Sequence, residues 1–329
     1  MKRALVTGAV GFVGRWLCAA LDRNGWSVTG AAHSDADIAK HALDGPWGSL
    51  KNISWRSGDV RDASFLHALV NEARPDAVVH LAAISHVQQA TNDPTLAWDV
   101  NLLATVRLLH ELNARRLAGE IDPTILLVGS AEQYGRQPQS AMPLREVSPL
   151  EPLTVYGATK AAQELAGLQL FRSSGLKVIA ARPFPHAGPG QEPQFLIPAL
   201  MARAVALQAA NQGAPMLIGN TTPIRDFLHV SDVVAAYISL LEKGRPGVAY
   251  NVASGIGLTV HEVAKRVIAR VGANAQLVKD AALVRAVDVP ALVGDATRLT
   301  HDTGWRPARR FDDILDDLLD HIRRHAATH

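Results

Sequence analysis

A doubly wound parallel α/β sheet is the architecture this sequence predicts, and three observations predict it. Apolar, β-branched runs alternate with helical patterns through the first half of the chain. Several runs, AVVHLAA and ILLVGS among them, are apolar almost throughout, as strands covered on both faces must be. The first run leads into a glycine turn, VTGAVGFVG, with a helix pattern directly behind it.

In chain order, strands are expected at Arg3–Thr7, Trp26–Ala31, Ile53–Arg56, Ala77–Leu81, Thr124–Val128 and Lys177–Ala181. Helix patterns fall between them at Phe12–Arg23, Ala63–Glu72, Thr95–Leu117 and Val155–Phe171, the last with Thr154 as its N-cap. After Pro183 the texture changes, and PFPHAGPGQEPQ reads as loop. Shorter elements follow: helices at Ile197–Gln208, Val230–Leu241 and Val260–Val271, and strands at Met216–Ile218 and Val248–Val252. The last helix carries Phe311, Ile314, Leu315, Leu318, Leu319 and Ile322, an i, i+3, i+4 stripe, with aspartates in its first turns and Arg323 and Arg324 at its end. That charge run is expected to be a solvated face. The pattern divides the chain into a nucleotide-binding unit, residues 1–183 plus about 226–254, and a smaller C-terminal α/β unit that binds substrate, about 184–225 plus 255–329.

Composition narrows the function classes. Of 329 residues 48% are hydrophobic and the formal net charge is +2, so the chain is globular and lacks the clustered basic surface that nucleic acid needs. No stretch approaches the ~20 apolar residues of a membrane span. The single cysteine, Cys18, forbids an intrachain disulfide and sits in an apolar helical stretch as a core residue. A cytoplasmic protein is expected. The 13 histidines form no H-E-x-x-H, and no metal site is expected.

The glycine turn points to a dinucleotide. Gly8, Gly11 and Gly14 follow the first strand with G-x-x-G-x-x-G spacing. Glycine lets backbone approach a pyrophosphate closely, and the helix N-terminus behind it offers N–H groups and a positive dipole. A carboxylate at the end of the second strand would accept the ribose 2′-hydroxyl of NAD. Here that strand ends GAAHS, and Asp35 and Asp37 come late. Without the carboxylate a 2′-phosphate meets no repulsion, and Arg15, His33 and Ser34 are placed to contact it. NADP is therefore expected, with NAD possible.

The segment LTVYGATK sets Tyr156 and Lys160 four residues apart, on one face of a helix. A tyrosine ring over a lysine stem is also ordinary surface packing. Their context decides. Beside the glycine turn stand GDV at Gly58–Val60, HLAA at His80–Ala83, Asn101 in DVNLLAT, SAEQYG at Ser130–Gly135 and YGATK at Tyr156–Lys160. Further on come RPF at Arg182–Phe184, GPGQ at Gly188–Gln191, RDFLHVSDV at Arg225–Val233 and YNVASG at Tyr250–Gly255. In this order the set resembles the extended short-chain dehydrogenase/reductases, the NAD-dependent epimerase/dehydratase family, and in its second half their sugar-nucleotide branch.

The resemblance implies a Rossmann domain with a homodimer built on the helix patterns Thr95–Leu117 and Val155–Phe171. It also implies residue roles. Tyr156 exchanges a proton with the substrate carbonyl, Lys160 and the nicotinamide lower its pKa, and Ser130 hydrogen-bonds the same oxygen. Glu132 resembles the acid/base that acts at carbon-5 and carbon-6 in dehydratases. Phe12 and Val13 in the glycine turn, Asp59 and Val60, Leu81, Ala82 and Ala83, and Asn101 and Arg182 join Gly8, Gly11, Gly14, Tyr156 and Lys160 around the cofactor. Ser85, His186, Arg225, Arg285 and Asp288 join Ser130 and Glu132 around the sugar nucleotide, the arginines holding its diphosphate.

Within the branch, SAEQYG, RPFPHAGPGQ, IRDFLHVSDVVAAY and RAVDVPALVGDATRL resemble the reductases of GDP-4-keto-6-deoxy-mannose, which make GDP-rhamnose. The longer chain and basic insertion of the related dehydratases are not seen. A dehydratase or epimerase of the same family is the alternative, and a nicotinamide-sensing binding protein without chemistry a second one. Pro185 stands where the family usually has asparagine, removing a polar contact to the sugar nucleotide, and Thr154–Val155 replaces the usual Ser-Pro.

Overall fold

Seven parallel strands form the central sheet of the computed structural model, which describes residues 1–210, 213–284 and 289–326. Strands β1 (Arg3–Thr7), β2 (Ser27–Ala32), β3 (Ser54–Ser57), β4 (Ala77–His80), β5 (Thr124–Val128) and β6 (Val178–Pro183) are joined by Ala249–Val252 at one edge. Read from that edge the order is Ala249–Val252, β6, β5, β4, β1, β2, β3. The chain leaves β1 in one direction and resumes at β4 in the other, so a topological switch lies between β1 and β4. In open α/β sheets a ligand crevice forms outside the strand ends at such a point.

Alternating residues of each strand feed two cores. Val6, Val79, Leu126 and Ile179 pack under α1 (Phe12–Arg23) together with Leu17, Cys18 and Leu21. Leu5, Val78, Ile125 and Leu127 pack on the other face with Leu69 of α3 (Ala63–Ala73), and with Leu108 and Leu112 of a helix described below. Each such side chain, fully buried, contributes about 1.5–3 kcal/mol. Cys18 is fully buried, and burial pushes its thiol well above the usual range, so it is a core residue as expected.

The sequence pattern missed three short helices, α2 (Asp35–His41), α4 (Val87–Asn92) and the segment Thr297–Thr303, and joined what the structure separates. Thr95–Leu117 is not one helix. It divides into α5 (Pro94–Trp98), a π-helical turn at Asp99–Leu103, and α6 (Ala104–Leu117). The cause is Asn101, fully buried in the wide turn. Its Oδ1 accepts from the Ile84 N–H at 2.7 Å, and its Nδ2 donates to Ile84 O at 3.2 Å and Thr159 Oγ1 at 2.9 Å. The extra residue per turn turns a polar side chain inward, tying the loop after β4 to α7 (Val155–Ser174). Thr154 caps α7 as predicted, its Oγ1 accepting from Gly157 N–H at 3.0 Å.

A further core joins α8 (Leu196–Ala209), α10 (Val260–Val271) and α12 (Phe311–Ala326), while α9 (Val230–Lys243) returns to the central sheet and α11 (Thr297–Thr303) packs beside it. Ile314, Leu315, Leu318 and Leu319 fill that core as the stripe required. The aspartates of α12 are more than a solvated face: Asp312 and Asp316 pair with Arg266 and Arg270 of α10 at 3.4 and 2.8 Å. Such exposed pairs are each worth about 0–1 kcal/mol. Ile224–Asp226 pairs antiparallel with Gly257–Thr259 and parallel with Ala291–Leu292. Among the described residues no helix is long and apolar enough to cross a membrane.

Candidate active site

The C-terminal strand ends open onto one cavity of about 940 Å³, which runs from the glycine turn past Tyr156 to Asn220 and Arg225. That is the upper end of the ~300–1,000 Å³ range of ligand pockets.

The cofactor end is built from backbone. Gly8 has φ +67, and a Cβ there would lie 2.8 Å from Ala82 N, so the β1 turn and the loop after β4 touch only because residue 8 is glycine. A Cβ on Gly14 would run into the Gly8 carbonyl. Gly11 is the N-cap of α1 and supplies no side-chain cap, which leaves the first N–H groups of α1 open to a ligand. Phe12, Val13, Leu81, Ala82 and Ala83 line this end with the three glycines. The cradle fits a dinucleotide pyrophosphate.

At the adenosine end the cavity wall includes Ala31, Ala32 and His33; the end of β2 itself carries no carboxylate, while Asp37, in the helix that follows, also lines the cavity. The predicted phosphate contacts differ in placement. His33 is exposed at the wall. Ser34 does not line the cavity; its Oγ caps α2 at 3.1 Å from Asp37 N and donates to Asp37 Oδ2 at 2.7 Å. Arg15 lines the cavity but stacks 4.1 Å over the Trp47 ring and donates to Gly190 O at 2.9 Å, which ties α1 to the GPGQ loop. Asp59 and Val60 line the same end, the Asp59 carboxylate held by Arg61 at 2.6 Å and kept below the usual range by it. Arg61 was not foreseen.

Two predicted cofactor contacts are elsewhere. Asn101 acts behind the wall, as described. Arg182 does not line the cavity: it forks onto Glu164 through Nε (2.9 Å) and Nη2 (2.5 Å), and its Nη1 donates to Tyr134 Oη and Glu146 O. Both partners are buried. The network continues through Gln133, whose Nε2 donates to Glu164 Oε2 at 3.0 Å and whose Oε1 accepts from Ser130 N–H at 2.7 Å.

Ser130, Glu132, Tyr156 and Lys160 converge at the centre of the cavity. Ser130 lies two residues past the end of β5, at the N-cap of the turn Ala131–Tyr134, and its Oγ accepts from Glu132 N–H at 3.2 Å. Tyr156 and Lys160 project from one face of α7, as their spacing predicts. Contrary to the expectation of a lowered phenol, Tyr156 is pushed up to about 12 by burial, opposed by its hydrogen bond to Ser130 and reinforced by the nearby Glu132 charge. Lys160 does not offset this, because burial brings its own ammonium down to about 7. Its Nζ donates to Val128 O at 2.8 Å and to Gln163 Oε1 at 3.0 Å.

The predicted substrate residues Ser85, His186 and Arg225 also line the cavity. His186 stacks on Phe12 with centroids 6.1 Å apart, and burial lowers its pKa. With Nδ1 donating to Phe184 O at 2.9 Å, the neutral ring leaves Nε2 as an acceptor. Arg225 Nη1 donates to Ile224 O and Val289 O at 2.9 and 2.7 Å. Arg285 and Asp288 lie outside the described residues. Pro185 lines the wall in place of an amide, and Asn220 and Phe227, missed in the sequence, line it too.

The family described as GDP-mannose 4,6-dehydratase matches residues 5–318. The chain is 34% identical over 318 residues to a GDP-6-deoxy-D-mannose reductase of Pseudomonas aeruginosa, covering 97% of this chain and 96% of that one. It is 29% identical to a dTDP-glucose 4,6-dehydratase of Streptomyces niveus, covering 99% and 94%. Among solved structures, RMD from Pseudomonas aeruginosa complexed with NADPH superposes with a TM-score of 0.82 at 29% identity, over 98% of this chain and 100% of that one. A UDP-glucose 4-epimerase of Thermus thermophilus in complex with NAD gives 0.83 at 26%, over 98% and 99%.

Proposed function

The chain belongs to the GDP-mannose 4,6-dehydratase family, and from that premise we propose that it is an NADPH-dependent oxidoreductase reducing the 4-keto group of GDP-4-keto-6-deoxy-D-mannose to give GDP-D-rhamnose. The observation that carries the reading is the convergence of Ser130, Tyr156 and Lys160 midway along a cavity that begins at a phosphate cradle. Bound in that cradle, the reduced nicotinamide supplies a hydride. The chain supplies the rest. Ser130 and Tyr156 hydrogen-bond the carbonyl oxygen, and Tyr156 gives its proton to the alcohol being formed. A phenol pushed up to about 12 is fully protonated near neutrality, which suits reduction over oxidation. The Lys160 ammonium steadies the phenolate left behind.

Incubation with NADPH and GDP-4-keto-6-deoxy-D-mannose should consume one NADPH per sugar and yield GDP-D-rhamnose by NMR. GDP-mannose alone should be left unchanged. Glu132 on the cavity wall is the one observation favouring a second reading, a 4,6-dehydratase or epimerase that recycles its nicotinamide. Formation of a 4-keto product from GDP-mannose without added reductant would establish that reading instead. A binding protein that only senses the nicotinamide would have no use for the convergent Ser130, Tyr156 and Lys160.

The bare end of β2 supports NADP over NAD. NADPH should bind more tightly than NADH, and Ala32→Asp, which sets a carboxylate at the wall, should erode the ratio by about tenfold, ~1.4 kcal/mol. Fluorescence titration of both cofactors decides; an unchanged ratio places the 2′-phosphate elsewhere.

The division of labour follows the two sides of the cavity, with the sheet and its flanking helices holding cofactor and the unit containing α8, α10 and α12 closing over the sugar nucleotide. The enzyme works as a cytoplasmic homodimer in this reading. Trp98, Leu103 and Leu165 are 36, 46 and 65% exposed on the contiguous surface of α5, the π-helical turn and α7, and a two-fold contact would cover them. Light scattering at micromolar concentration should give twice the chain mass, and Leu165→Glu should give monomer.

A further inference from the structure

Gln163 lies one turn beyond Lys160 on α7 and is 1% exposed. Its Oε1 accepts from Lys160 Nζ at 3.0 Å. Its Nε2 is buried and has no hydrogen-bond partner among the described residues. A buried amide with an unsatisfied donor is a cost to folding, since that N–H₂ gave up water for nothing. An aliphatic side chain would fill the position without it. The other half of the amide makes one contact, and that contact is to the lysine of the active site.

We propose that Gln163 is a positioning residue for Lys160: together with the Val128 carbonyl, its amide oxygen holds the Lys160 ammonium at the cavity wall in its charged form. The proposal rests on the reductase reading only for the consequence, because the contact itself can be tested without turnover. The two acceptors bracket Nζ from two elements, the end of β5 and the next turn of α7, and leave the third N–H for the cavity. Both are oxygen dipoles, and a buried ammonium without them would lose its proton.

The other ionisable groups around Lys160 do not do this. Tyr156, one turn earlier on α7, is an uncharged phenol near neutrality. His80 on β4 is brought down to about 3, first by burial and then by the Lys160 charge, and its ring nitrogens are taken by Thr7 Oγ1 and Thr105 Oγ1. Glu164, the next residue on α7, is committed to Arg182 and Gln133. Glu132, in the turn after β5, acts on Tyr156. Asp99, in the π-helical turn, pairs with Arg61 and Arg107. Gln163 is thus the one side chain bonded to the ammonium among the described residues.

The test follows the Lys160 side chain directly by NMR in lysine-labelled protein, with Lys160→Met identifying its signal. In the wild type the signal should titrate near pH 7. Gln163→Leu and Gln163→Met remove the acceptor and should lower the midpoint by about one unit, a tenfold change in the proton equilibrium. Gln163→Glu adds a negative charge and should raise it by about as much. The leucine and methionine variants should melt at or above the wild-type temperature, since they also remove the unsatisfied donor. With NADPH and the 4-keto sugar nucleotide, the pH at which kcat/KM falls should move with the NMR midpoint. Midpoints that move by less than about half a unit in the folded variants, or that move in one direction for all three, overturn the proposal. If the midpoints move as stated and no ketone is reduced, the contact stands and the reductase reading fails.

Discussion

Replacing Tyr156 by phenylalanine should lower the rate of ketone reduction by about 10²–10⁴ while leaving NADPH affinity within a few-fold of wild type. In the proposed reading the phenol is the group that gives its proton to the carbonyl oxygen. Ser130 orients that oxygen but is a poor acid, and Lys160 is turned to Val128 and Gln163. The cofactor cradle is made by Gly8, Gly11 and the loop after β4, none of which the substitution touches. Steady-state rates and a fluorescence titration separate the two effects. Near-normal turnover by the variant removes Tyr156 from the chemistry.

The pH dependence follows with a definite sign. Tyr156, pushed up to about 12, keeps its proton throughout the neutral range, so its ionisation does not limit reduction. Lys160, brought down to about 7, is charged below that pH and neutral above it. Support for the phenolate is therefore present at low pH and lost as pH rises, and kcat/KM for ketone reduction with NADPH should fall through a single group near pH 7.

Period and glycine placement made the sheet legible. Arg3–Thr7, Phe12–Arg23, Thr124–Val128 and Val260–Val271 fall at their predicted limits because burial on both faces of a strand, or on one face of a helix, writes itself into the residue pattern. Tyr156, Lys160 and Ser130 were legible through the local motifs that place them on a helix and just past a strand end. What escaped depends on partners distant in sequence. The break in Thr95–Leu117 comes from Asn101 reaching Ile84 and Thr159, and no periodicity reports a contact spanning 58 residues. The direction of the Tyr156 shift in the chain by itself was not legible for a similar reason: a motif names the lysine next to the phenol, but burial of both side chains sets the phenol high. Gln163 and Arg61 carried no motif at all.

Arg182 shows where likeness of motif and physical role part, and it carries the largest expected effect on stability. In RPF it reads as a cofactor contact, yet its guanidinium is buried against the Glu164 carboxylate, Tyr134 and the Glu146 carbonyl. A guanidinium cannot shed its charge, so Glu164→Leu leaves a buried cation with neutral partners only. Breaking a buried pair from one side typically costs about 3–5 kcal/mol, a large part of a domain's ~5–15 kcal/mol. The unfolding midpoint in urea should fall accordingly. Arg182→Met should cost less, because Glu164 can take up a proton when its partner is gone. The double variant Arg182→Met/Glu164→Leu should recover much of the loss, since replacing both members of a buried pair by apolar groups is often close to neutral. The pair also reaches the active site through Gln133, which holds the Ser130 N–H. Each variant should thus lose some turnover at a temperature where it is folded, and NADPH affinity should stay within a few-fold. A selective loss of NADPH affinity in Arg182→Met with full stability would return Arg182 to the cofactor, and an additive loss in the double variant would show that the two side chains act apart.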